Sequence, residues 1–151
     1  MGTALRGFTI IEILLALAII VIASAIAVPY YDVYAERAEQ TAAATDLMRI
    51  DMTIERFSSA NFNFPDSLVD IGLDGLLEPW GQPYAYLRID GGGNVQGQVR
   101  KDQNLNPINS DFDLYSIGPD GMSASPLTAA PSRDDIVRAG NGSFFGAAED
   151  F

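Results

Sequence analysis

Apolar residues fill the chain almost without interruption from Phe8 to Val28, a run of 21 residues in which Glu12 is the one charge. Coiled as a helix at about 1.5 Å per residue, such a run is roughly 31 Å long. That matches a bilayer hydrocarbon core of about 30 Å, so the pattern predicts a membrane-spanning helix. Pro29 comes next and predicts an end or a kink, because its ring removes a backbone donor and crowds the preceding turn. Beyond it the pattern changes. Val33, Ala42, Leu47, Ile50, Ile54 and Phe57 recur at helical spacing, with Glu36, Arg37, Asp46, Arg49, Asp51 and Arg56 opposite them. Ala42, Ala43 and Ala44 add helix propensity, and the heptads are too few for a coiled coil. The reading is one helix from Phe8 to about Ser59, apolar all round in its first half and amphipathic in its second. Asn61-Phe62-Asn63-Phe64-Pro65 then breaks it.

The remaining pattern is that of a small sheet. Pro79 and Gly81 bracket the only tryptophan, Trp80, in a tight turn, which predicts a core anchor rather than a ligand platform. Tyr84–Asp90 reads as a strand, Gly91–Asn94 as a hairpin turn, Val95–Lys101 as its partner and Phe112–Ile117 as a third strand. Three antiparallel strands can bury one face against a helix, where a lone hairpin would be marginal. The predicted fold class is therefore α+β: a long N-terminal helix on a three-stranded antiparallel sheet, with a C-terminal loop region. Its divisions are residues 1–7, a leader; 8–29, the membrane half of the helix; 30–59, the amphipathic half; and 60–151, the globular domain.

Composition narrows the chemistry. The 151 residues include no cysteine and no histidine. Disulfides, thiol nucleophiles and histidine acid–base chemistry are therefore absent, and no enzyme signature takes their place. Residues 60–151 hold thirteen acids and five bases, a net charge of −8, within a total of −11. Such a surface disfavours direct binding to nucleic acid. Asp111 and Asp113 alternate on the third strand, which predicts a solvated face.

An acid inside a membrane span costs about 2.5–3.5 kcal/mol even on mild insertion scales, so Glu12 needs a reason. An ordinary secretory signal, cut at Ala23-Ser24-Ala25 or Ala25-Ile26-Ala27, gives it none, and neither does a simple anchor. The string Arg6-Gly7-Phe8-Thr9-Ile10-Ile11-Glu12 resembles the processing site of type IV prepilins, a family that includes the pseudopilins of type II secretion. That resemblance implies cleavage after Gly7 by a prepilin peptidase. It also implies a new, often N-methylated, terminus at Phe8, and assembly through Glu12 and the N-terminal amine of a neighbouring subunit. A proline at position 29 is similarly placed to one at which pilin helices bend or melt. Arg6 before the span, with Asp32 and Glu36 beyond it, orients the N-terminus toward the cytoplasm.

The globular half carries the same resemblance. Glu78-Pro79-Trp80-Gly81-Gln82-Pro83-Tyr84-Ala85-Tyr86 is similar to the aspartate-proline-tryptophan-glycine-x-proline-tyrosine-x-tyrosine stretch of major pseudopilins, with Glu78 in place of the aspartate. Asp111 to Gly121 resembles the segment that leads into their structural calcium loop. Carried over, this implies calcium held by Asp120 and by Asp134 or Asp135, with the carbonyls of Ile117 and Met122. Two features depart from that pattern. The double glycine after Asp120 is replaced by Met122-Ser123-Ala124-Ser125, and the loop is long, with Pro126 and Pro131. The alternative has Asp120 capping a turn and Asp134 capping a short helix near Ile136. Asn141-Gly142-Ser143 reads as a turn.

The resemblance implies a non-enzymatic structural subunit of a periplasmic pseudopilus in a bacterial inner-membrane export system. Its implied partners are identical subunits, minor pseudopilins, the prepilin peptidase and an inner-membrane assembly platform. A type IV pilus subunit, serving adhesion, motility or DNA uptake, is the alternative.

Overall fold

A computed structural model describes residues 7–151, so all of the leader except Gly7 lies outside the described residues. The elements run α1 (Ile10–Asn61), β1 (Ala85–Arg88), β2 (Phe112–Ser116), β3 (Ile136–Ala139) and β4 (Phe144–Ala147), with short 3-10 turns between them. The chain divides into two compact units, the first ending at Arg37 and the second running Ala38–Phe151. α1 does not end at Pro29; the helix continues through that residue. A proline lacks one donor and crowds one turn, and a helix this long has many other hydrogen bonds to keep it formed.

In the first unit, the side chains described from Phe8 to Val28 are all exposed. Phe8 is 85% and Ile10 82% accessible. An apolar surface of this extent is untenable in water and marks a membrane or protein contact. Among the described residues, α1 is the one helix long and apolar enough to cross a membrane.

In the second unit, α1 buries Ala43, Leu47, Ile50 and Ile54, residues spaced so that they share one face of a helix. The expected stripe is thus slightly shifted. Ala43 rather than Ala42 is buried, and Val33 is exposed. Leu68, Tyr84, Phe112, Leu114 and Ile136 complete this core, with Trp80 packed on it as a partly buried anchor. Phe64 and Tyr86 flank the Phe112 ring at centroid distances of 5.3 and 5.6 Å. The helix ends where Phe62 takes a left-handed conformation (φ 55°), and the Asn61 side chain donates back to the Phe57 carbonyl.

The sheet is antiparallel throughout, in the order β1-β2-β3-β4. Four strands replace the expected three. Val95–Lys101 is not the partner of β1. Instead β1 pairs directly with β2, Ala85 opposite Tyr115 and Arg88 opposite Phe112. Nor is the C-terminal region only loop, because β3 and β4 form a hairpin there, Ile136 opposite Ala147 and Ala139 opposite Phe144. Asn141-Gly142-Ser143 lies in its turn. Asn141 adopts φ 53° and takes a hydrogen bond from Ser110 N–H at 2.8 Å.

Strand alternation gives the sheet two buried faces. Phe112, Leu114 and Ile136 meet the helix, while Val137 and Ala139 pack with Ile108, Leu127 and Ala148 in a second apolar cluster. That second cluster explains a correction. Asp113 is not on a solvated face but 1% exposed, accepting from the Arg100 N–H (2.6 Å) and the Asn109 side chain (2.9 Å). Burial pushes its carboxyl above the ordinary carboxylate range, against those two donors.

Candidate functional site

Two places carry the residues singled out by sequence, one in each unit. At the start of α1, Glu12 folds back on Thr9. Its Oε2 accepts from the Thr9 N–H at 2.8 Å and from the Thr9 hydroxyl at 2.7 Å, while Thr9 Oγ1 lies 3.4 Å from the Glu12 N–H. This is a reciprocal N-terminal cap of the Thr-x-x-Glu kind. The three-residue spacing of Thr9 to Glu12 is the sequence signal for such a cap. The arrangement satisfies donors that a helix start leaves open and gives an otherwise costly carboxylate local partners. One Glu12 oxygen takes both Thr9 donors, and these are hydrogen bonds without a counter-charge. Phe8 and Gly7 precede the helix and are exposed, and among the described residues nothing beyond its chain neighbours lies within 4 Å of the position a side chain at Gly7 would start from.

The second place is the segment from Ile117 to Asp135. Gly118 has φ +70°, and a Cβ there would stand 2.6 Å from the Asp134 carbonyl oxygen, so the glycine is required both by conformation and by space. Asp120 Oδ1 accepts from the Met122 N–H at 2.7 Å, a local turn of the kind expected. Asp134 Oδ2 accepts from the Asp120 N–H at 3.3 Å, so these two acids are neighbours at the loop edge. The Ile117 N–H donates to Glu78 Oε2 at 3.1 Å, and Met122 is exposed. Ile136 begins a strand, so Asp134 caps no final helix.

Asp135 goes elsewhere. It is fully buried and ion-paired with Arg100, itself 2% exposed. Ser123 Oγ donates to the same Asp135 oxygen at 2.6 Å. Burial raises the Asp135 carboxyl above its usual range, opposed by Ser123 and Arg100. Calcium requires about six to eight oxygens. The described residues hold no group of three or more acids that could bind a metal, and Asp135 already faces a cation. Asp135 therefore does not fit the calcium site that the resemblance implies, and Asp134 is the acid that lies beside Asp120.

Sequence reasoning missed the most connected residue, Arg138. It is 2% exposed, pairs with Asp51 of α1, and reaches Asp111 at 2.7 and 2.9 Å. Its guanidinium lies 3.9 Å from the centroid of the Phe112 ring. Burial works against its charge, but Asp111 and Asp51 outweigh that and hold its pKa above the ordinary arginine value. Two further ties run from the globular half to α1: Trp80 Nε1 donates to Glu39 at 2.9 Å and the Tyr84 hydroxyl to Asp46 at 3.2 Å.

No family model matches the chain, and no solved structure matches it. Among curated proteins it is 28% identical to the type II secretion system core protein G of Pseudomonas aeruginosa, over 76% of this chain and 84% of that protein. It is 26% identical to the core protein G of Escherichia coli, over 89% of this chain and 91% of that protein. The corresponding protein of Klebsiella pneumoniae is 26% identical, over 80% of this chain and 89% of its own length. Long apolar-to-amphipathic helix, tryptophan turn, antiparallel sheet and these likenesses agree: the chain is similar along most of its length to the core protein G of type II secretion systems.

Proposed function

We propose that this chain is a structural, non-catalytic subunit of a pseudopilus, the periplasmic filament that drives protein export in a type II secretion system. The observation that carries the reading is Glu12, the one acid in a helical run whose apolar side chains are all exposed. A prepilin peptidase cuts after Gly7. The mature chain then begins at Phe8, with an α-amine near the membrane edge. Two isolated charges in a low-dielectric setting are each costly, and pairing them recovers much of that cost. Glu12 of one subunit therefore takes the Phe8 ammonium of the next, and Thr9 holds the carboxylate until that partner arrives. The exposed apolar residues from Ile10 to Val28 rest in the inner membrane before assembly and against neighbouring copies after it. Minor pseudopilins and an inner-membrane assembly platform complete the machine.

The names of the relatives support this reading, and so does the absence from the sequence of histidine and cysteine, which removes the commonest catalytic side chains. The test is genetic. Deleting the gene in its own host should leave exported enzymes trapped in the periplasm, with release restored by the wild-type gene. Normal export from the deletion strain, with loss of surface pili instead, would overturn the assignment.

A further inference from the structure

We infer that the buried guanidinium of Arg100 closes the C-terminal loop of this chain, doing by an internal cation what the resemblance assigned to calcium. The segment between β2 and β3, from Ile117 to Asp135, has little regular structure, a three-residue 3-10 turn at Ala130–Ser132. A loop of that length needs a function or a clamp to be ordered, and without cysteine the clamp is not a disulfide.

Arg100 gathers the loop from within. Its Nη2 donates to Asp135, and its Nη1 to the Ser123 hydroxyl and, at 2.7 Å, to the Ala124 carbonyl. Its guanidinium carbon sits 4.2 Å from the centroid of the Tyr115 ring. Carboxylate, hydroxyl and carbonyl oxygens are also what a hard cation collects. Here a planar fork of fixed donors collects them instead. The backbone reinforces the strap. The Lys101 N–H donates to the Ser125 carbonyl at 3.0 Å, and the Leu127 N–H to the Lys101 carbonyl at 2.9 Å. Residues 100 and 101, which the sequence placed in a hairpin strand, thus hold the loop by side chain and main chain together. A divalent ion at Asp135 would bring two further positive charges to a buried guanidinium, so metal and arginine exclude one another there.

The test uses the full-length chain in detergent micelles and follows thermal unfolding together with proteolysis of residues 118–136. Wild-type protein should melt at the same temperature in millimolar calcium and in a chelator. Arg100→Met should lower Tm by several degrees and speed cleavage in the loop, since it strands a buried carboxylate. The double variant Arg100→Met/Asp135→Asn should recover part of the loss, because the two side chains act as one unit. A calcium-dependent rise in the wild-type Tm that Asp120→Ala or Asp134→Ala abolishes would overturn the inference. So would an Arg100→Met chain with unchanged Tm and loop protection. If Arg100→Met fails to fold, the calcium and chelator comparison on the wild-type chain still decides.

Discussion

Glu12→Ala should leave the chain inserted in the membrane and abolish filament formation. Removing an acid from the span lowers the insertion cost by about 2.5–3.5 kcal/mol, so anchoring is expected to improve slightly. What disappears is the counter-charge for the Phe8 ammonium of the next subunit. In the proposed filament every subunit would both offer that amine and need that acid, so the defect would recur at each contact. Glu12→Gln should fare little better, because an amide keeps hydrogen bonds to Thr9 but carries no charge. Thr9→Val, by contrast, removes the hydroxyl and keeps Glu12. It should weaken the helix cap, by about 1 kcal/mol, without abolishing assembly. Membrane fractionation and electron microscopy separate the two effects. Glu12→Ala protein that builds normal filaments and supports export would remove Glu12 from the assembly contact.

Arg138→Met should cause a large loss of stability in the globular half. The methionine keeps part of the stem packing but strands Asp51 and Asp111, both mostly buried, without a cation. Breaking such a pair costs about 3–5 kcal/mol. Against a typical total of about 5–15 kcal/mol, that is a large fraction of the whole. A fall in Tm of about 10 °C or more is expected. Arg138→Lys should be intermediate, since one ammonium cannot copy the fork that meets Asp51, Asp111 and the Phe112 carbonyl together. Unfolding monitored by circular dichroism checks the order wild type, lysine, methionine; equal melting temperatures would show that the ion network contributes nothing.

The helix was legible because its signals are local. Leu47, Ile50 and Ile54 announce a buried face by spacing alone, and Trp80 between Pro79 and Gly81 announces an anchor. β3 was not legible, because all four of its residues are buried, so no alternation of polar and apolar positions marks it. Arg138 within it looks like a surface residue until Asp51, distant in sequence, is brought alongside. The false strand at Val95–Lys101 has the same origin. A hairpin is the nearest pairing a sequence offers, while β1 finds its partner beyond a long connection, at Phe112–Ser116. Asp113 and Asp135 were read by residue type as surface or ligand acids, and what decides their role is Arg100, also distant in sequence. The Thr9–Glu12 cap is the exception. Its Thr-x-x-Glu spacing is local and stands in the sequence.

Processing at Gly7 and polymerisation through the new N-terminus are what the proposed function stands on. The most direct measurement is the intact mass of the subunit in filaments sheared from cells that overproduce the chain with a prepilin peptidase and an assembly platform. The filaments should contain a subunit that begins at Phe8, with or without one added methyl group. A subunit that begins near Ala25 or Val28, or an uncut chain that never leaves the membrane fraction, would contradict it.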